Sequence, residues 1–112
     1  MLNTHQRQQY QKDGYIVLEK AIPYPDIRRL KSEALKIVDA FDIGKHRSVF
    51  TTSDRDSGRD DYFFDSAENI HCFLEEDALD KNGTLQKTPR LAINKIGHAL
   101  HDLNPIFNSF CR

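Results

Sequence analysis

The 112 residues carry sixteen basic and seventeen acidic side chains, a net charge of −1, with 38% apolar and 29% charged residues and no Trp. This length allows one domain or part of one. Residues 1–56 hold ten basic and eight acidic side chains and residues 57–112 hold six and nine, so neither half concentrates the basic stripe that a phosphate backbone demands, and no nucleic-acid partner is expected.

Seven Phe and four Tyr must supply most of the bulky core. Cys72 and Cys111 form no CxxC, and two cysteines do not make a disulfide scaffold. Free thiols in a reducing compartment are expected. The first ten residues contain no apolar signal core, and no stretch reaches the length of a membrane-spanning helix. A cytoplasmic protein without a membrane partner is the expectation.

Thr4 is well placed to cap a short polar helix ending at Asp13-Gly14. Tyr15-Ile16-Val17-Leu18, aromatic and β-branched, predicts a strand. Pro25 then opens a helix over residues 25–41, in which Ile27, Leu30, Ala34, Ile37, Val38 and Phe41 recur at steps of three and four and form one apolar stripe. Periodicity lapses over residues 44–61. The run Ser53-Asp54-Arg55-Asp56-Ser57-Gly58-Arg59-Asp60-Asp61 is polar and predicts an exposed loop, either a tolerated surface loop or a lid bordering a substrate entrance.

Ile70, Cys72 and Leu74 alternate with His71 and Phe73, as a strand with one face inward requires. Asn82-Gly83 signals a tight turn, so residues 70–75 and 85–87 are expected to flank a hairpin or a tight connection, the second strand being poorly patterned. After Pro89, the spacing of Ile93, Ile96, Leu100 and Leu103 predicts a helix. Asn104-Pro105 ends it and opens another, with Asn104 as cap and Pro105 in its first turn. That last helix shows no C-terminal stop signal before Arg112, which reads as an interruption.

Few combinations of these residues could carry chemistry. His98 and His101, three apart on the expected helix, would share a face. A zinc protease spaces its His pair by four around a Glu, and the spacings to Cys72 or Cys111 match no zinc pattern. Packing beside a core helix is the simpler role for both. A mononuclear iron site built on His-x-Asp or His-x-Glu is missing, because the residues two beyond each His are Arg7, Ser48, Phe73, Leu100 and Leu103. No nucleophile elbow or phosphate loop occurs. Asp60-Asp61 with Asp65, and Glu75-Glu76-Asp77, read as solvated surface. No catalytic residue and no metal ligand is therefore expected. Lys95 has two readings: an ordinary surface lysine, or an ammonium turned into a cleft to bind a carboxylate.

The run Ile93-Asn94-Lys95-Ile96-Gly97-His98-Ala99-Leu100-His101, followed by Asn104-Pro105-Ile106-Phe107, resembles the segment ahead of the catalytic barrel in the phytanoyl-CoA dioxygenase family. Asp13-Gly14-Tyr15-Ile16-Val17-Leu18-Glu19, Asp61-Tyr62-Phe63-Phe64 and Leu79-Asp80-Lys81-Asn82-Gly83 agree with it in kind and order. The resemblance implies an Fe(II)- and 2-oxoglutarate-dependent hydroxylase acting on a small-molecule substrate, with a double-stranded β-helix (jelly-roll) core. It further implies that Lys95 contacts 2-oxoglutarate. The iron ligands would lie outside this chain. Residues 1–112 are thus expected to form a single partial domain of α+β class. It would be helix-rich, with a few strands buttressing a jelly-roll core that is itself mostly absent, and not catalytically complete alone. The competing expectation is a truncated, non-catalytic binding module or a product without function.

Overall fold

In the computed structural model, described for residues 1–51 and 60–112, the helices are α1 (Thr4–Asp13), α2 (Tyr24–Ala40), α3 (Asp61–Asp65), α4 (Pro89–Ala92), α5 (Leu100–Leu103) and α6 (Pro105–Cys111). Two strands, β1 (Ile70–Leu74) and β2 (Ile93–His98), pair antiparallel. The architecture is mixed helix and small sheet, in line with the α+β expectation. Most of the loop expected around Ser53-Asp54-Arg55 falls on residues 52–59, outside the described residues.

Helix α1 is capped by Asn3 instead of Thr4. Asn3 Oδ1 accepts from Gln6 N, and Gln6 Oε1 accepts from Asn3 N, both at 2.8 Å. The amide one residue earlier reaches the free N–H groups of the first turn, so Thr4 enters the helix. Gly14, at φ 77°, ends it, a conformation that costs glycine little. Helix α2 begins one residue ahead of Pro25 and ends at Ala40. The apolar stripe is present, but only Val38 on it is buried and Ile27 is exposed.

Residues 15–18 do not form the expected strand among the described residues. They carry no regular secondary structure, and Tyr15 and Val17 are 66% and 71% exposed. Their strand propensity reflects side chains suited to a pleated, half-buried surface, and no neighbouring strand here offers one.

The largest correction concerns residues 93–98, which are strand β2 and not the expected helix. The register pairs Cys72 with Ile96, Phe73 with Lys95 and Leu74 with Ile93, leaving Asn94 as an extra residue between two paired positions. This bulge advances the strand's alternation by one. Ile93 and Ile96 therefore face the same side although three residues apart, a spacing that mimics a helical stripe. The expected hairpin is corrected by the same pairing. β1 takes β2 as its partner and not residues 85–87, while the Asn82-Gly83 turn closes only a single bridge, Leu79 to Leu85.

The other edge of β1 carries residues 48–50. Leu74 N donates to Ser48 O and Phe50 N donates to Leu74 O, both at 2.9 Å. One side of the sheet thereby buries Leu74 with Ala78 and Ala92, against Phe41, Ile43, Val49, Leu79, Leu85 and Ile93. On the opposite side the buried Phe73 meets the rings of Phe50, Tyr62 and Phe63. Both faces of β1 are thus covered, which is why Cys72, Phe73 and Leu74 are all buried where a one-sided strand would alternate.

Polar links tie α2 to the C-terminal half. Arg90 grips Asp39 with two hydrogen bonds, at 2.7 and 2.6 Å. Asn104 caps α6, as expected, by accepting from Ile106 N and Phe107 N, and its Nδ2 donates to Glu33 at 2.9 Å. The radius of gyration is 17.9 Å, against about 13 Å for a compact chain of this length. Among the described residues seven apolar side chains are buried and twelve large ones are exposed, so the core is small for the apolar surface that surrounds it.

Candidate functional site

Lys95 sits on β2 directly across from Phe73, so the two side chains share one face of the sheet. Its Nζ lies 4.2 Å from the centroid of Phe50, a ring delivered there by the parallel pairing of residues 48–50 with β1. Phe50 in turn meets Phe73 edge-on, at 6.3 Å between centroids. Lys95 is half-buried as a residue, and its ammonium engages no carboxylate among the described residues. An aromatic face attracts a cation less strongly than an anion does, and a carboxylate arriving there would gain a charge-assisted hydrogen bond.

The strand, and not a helix edge, sets the direction of Lys95. Its Cε lies 3.5 Å from the position a Cβ on Gly97 would take. The stem therefore lies against Gly97, the residue before His98.

His98 packs edge-on to Phe63, with centroids 5.3 Å apart, and lies 6.0 Å from Phe73. Its Nδ1 is 2.6 Å from the Oγ of Ser66, a fully buried residue, and Ser66 Oγ is 2.6 Å from Phe63 O. The backbone N–H of His98 also donates to Ser66 O, at 2.9 Å. Burial first, then the charges of Lys95 and His71, hold the imidazole below its ordinary pKa. His101 is separated from it in structure as well as role: it lies on α5, exposed, with Nε2 3.3 Å from Asp102. The shared helical face expected of His98 and His101 does not exist, because His98 ends a strand and His101 belongs to the next helix.

A second constellation was not evident from sequence. Phe41, His46, Tyr62 and His71 stack in a column, with centroid spacings of 6.2, 5.0 and 4.0 Å. His71 is held by Asp65 at Nε2 (3.2 Å) and by Tyr62 O at Nδ1 (3.0 Å). This column lines a groove of about 620 Å³ with Ile37 and Lys45. The alternation of His71 with Ile70 and Cys72 signalled a strand. Nothing in the spacing linked it to Tyr62 or His46, which pairing and chain reversal bring together.

The acidic runs behave largely as surface groups. Asp60 is exposed and caps α3 by accepting from Phe63 N at 2.8 Å, and Asp77 pairs with Lys87. No group of three His, Cys, Asp or Glu side chains close enough to hold a metal occurs among the described residues. Cys72 and Cys111 are both free thiols, Cys72 buried and Cys111 exposed, and burial pushes the Cys72 thiol up to about 11. No helix among the described residues is long and apolar enough to cross a membrane.

No protein-family model matches the chain. Individual relatives do. It is 38% identical over 109 residues to "Phytanoyl-CoA dioxygenase 1" of Oryza sativa subsp. japonica, covering 97% of this chain and 38% of the relative. It is 41% identical over 103 residues to the Caenorhabditis elegans "Phytanoyl-CoA dioxygenase domain-containing protein 1 homolog", covering 90% and 36%. The Bos taurus "Phytanoyl-CoA dioxygenase domain-containing protein 1" is 38% identical over 111 residues, covering 95% and 38%. The chain belongs to the phytanoyl-CoA dioxygenase family. It spans a little over a third of the length of the curated relatives it matches. Within this family member, the rings of Phe50, Tyr62, Phe63 and His98 gather around Phe73, with Lys95 over Phe50 and Ser66 bonded to His98.

Proposed function

We propose that this family member supplies the 2-oxoglutarate-facing part of an Fe(II)- and 2-oxoglutarate-dependent dioxygenase that hydroxylates a small organic molecule, with Lys95 as an anchor for a carboxylate of the co-substrate. The observation that carries this reading is the Lys95 ammonium, set 4.2 Å over the Phe50 ring with no carboxylate partner among the described residues. In such enzymes 2-oxoglutarate supplies two electrons and leaves as succinate and carbon dioxide. What this chain contributes is binding and orientation: an ammonium on a rigid strand, backed by the ring cluster of Phe50, Phe63 and Phe73.

The donor set does not fit the iron, since no three metal-ligating side chains converge among the described residues. The ligands of the iron would belong to the remainder of such a protein. The same reading makes the exposed apolar segment at residues 15–18 and the outer side of α2 the surfaces on which a jelly-roll core would pack.

Titration of 2-oxoglutarate into the chain and into Lys95→Met, followed by NMR, tests the assignment. Met keeps the stem and removes the charge. The wild-type Lys95 signals should move on binding, and Lys95→Met should weaken affinity roughly tenfold to a hundredfold, the range of a hydrogen bond to a charged group. Equal affinity in the two proteins removes Lys95 from the site, and absence of binding removes the co-substrate reading of the chain.

A further inference from the structure

We propose that His98 is a second contact for the co-substrate: Ser66 fixes its imidazole so that Nε2 lies open beside Lys95, where it takes up a proton as a dicarboxylate binds and then donates that hydrogen to it. This rests on the co-substrate reading of Lys95 and extends it.

The geometry begins with one proton. Ser66 Oγ stands 2.6 Å from both Phe63 O and His98 Nδ1 but has a single hydrogen to donate. Phe63 O accepts only, so the hydroxyl hydrogen goes to it. The Ser66 oxygen must then accept from His98, which places the hydrogen on Nδ1 and leaves Nε2 as a bare lone pair. Ser66 is fully buried, so water does not compete for this arrangement.

Nε2 has no partner among the described residues, and His98 is only partly buried. Among the described residues no fully buried side-chain nitrogen or oxygen lacks a partner, so Nε2 is not sealed from solvent. Lys95 lies on the same side of the sheet as Phe73, with its Cε 3.5 Å from where a Cβ on Gly97, the residue before His98, would lie, and the His98 ring is 6.0 Å from Phe73.

Electrostatics then sets the direction of the proton. The charged or titratable groups facing His98 are Lys95 on β2 and His71 on β1, and both oppose its protonation. From the side of α3 it meets Ser66 and Phe63, which carry no charge, while Asp65 is engaged by His71 and Asn69. In the free chain the imidazole is thus held neutral. A carboxylate bound at Lys95 cancels that cation and adds an anion, which favours imidazolium. Binding and proton uptake are linked, so affinity strengthens as pH falls from the higher pKa of the complex toward the lower pKa of the free chain.

Imidazole ¹⁵N spectra of the chain, with and without 2-oxoglutarate at about pH 7, read the tautomer and charge of His98 directly. The expected result is a neutral ring with hydrogen on Nδ1 when free and a doubly protonated ring when bound, together with affinity that rises on acidification. His98→Asn, whose amide can still donate to Ser66 but has no second nitrogen to protonate, should lose that pH dependence and bind about tenfold more weakly. If Lys95 signals move with 2-oxoglutarate while His98 stays neutral, the proposal is overturned and the Lys95 reading survives. If neither responds, both fall. An equal response to sulfate at matched ionic strength also overturns it, since the site would then read charge alone.

Discussion

Replacing Phe50 with Leu isolates the contact that holds Lys95 ready. The Lys95 Nζ lies 4.2 Å from the ring centroid, well inside the range of about 6 Å over which a cation feels the ring quadrupole. Such contacts contribute about 0.5–1 kcal/mol when exposed and about 2 kcal/mol when dry, and half-burial of both side chains puts this one near 1 kcal/mol. Leu keeps apolar contact with Phe73 but also removes the edge-on ring pair between residues 50 and 73. A double-mutant cycle with Lys95→Met cancels that second loss. Urea unfolding of the four proteins should return a coupling of about 1 kcal/mol. The Lys95 ε-methylene protons, shifted upfield by the ring in the wild type, should move to ordinary positions in Phe50→Leu. A coupling under about 0.3 kcal/mol, within ordinary additivity error, combined with unshifted ε protons in the wild type, would refute the contact. Saturating 2-oxoglutarate should reduce the coupling, because the ammonium then exchanges the ring for a carboxylate.

Leu74→Ala should cost about 2–5 kcal/mol, because Leu74 is fully buried at the centre of the main apolar cluster; a loss below about 1 kcal/mol in urea unfolding would mean that the cluster does not hold the sheet. Asn104→Ala should remove the cap from α6 at a cost of about 1 kcal/mol, seen as faster amide exchange at Ile106 and Phe107. The same change should raise the Glu33 pKa. Its carboxyl is held below the ordinary value by the Asn104 amide first and by Lys36 second, so the stability it contributes is present above the ordinary carboxylate range and is lost as pH falls through the lowered value. An unmoved Glu33 titration in Asn104→Ala, followed by NMR, would show that the contact is absent in solution.

The sequence determined those features that one element settles alone. Helix α2 follows from its own stripe, α6 from Asn104 and Pro105, and β1 from alternating apolar side chains, since each depends on local spacing and capping. Sequence also carried the family, through a run of residues that includes Lys95. Tertiary structure decided what that run is. A bulge at Asn94 made a strand look helical, because it places Ile93 and Ile96 on one face at a spacing of three. Nor could local pattern reveal the partners around it. Phe50 reaches Lys95 only because residues 48–50 pair with the far edge of β1, and Ser66 reaches His98 across 32 positions of chain. Both contacts exist only once the backbone has paired, and they set a lysine that the sequence could read in two ways over an aromatic ring, without a carboxylate partner among the described residues. The apolar side chains at residues 15–18 mark the opposite case: their preference for a sheet is written locally, but a sheet edge must be present before it can be satisfied.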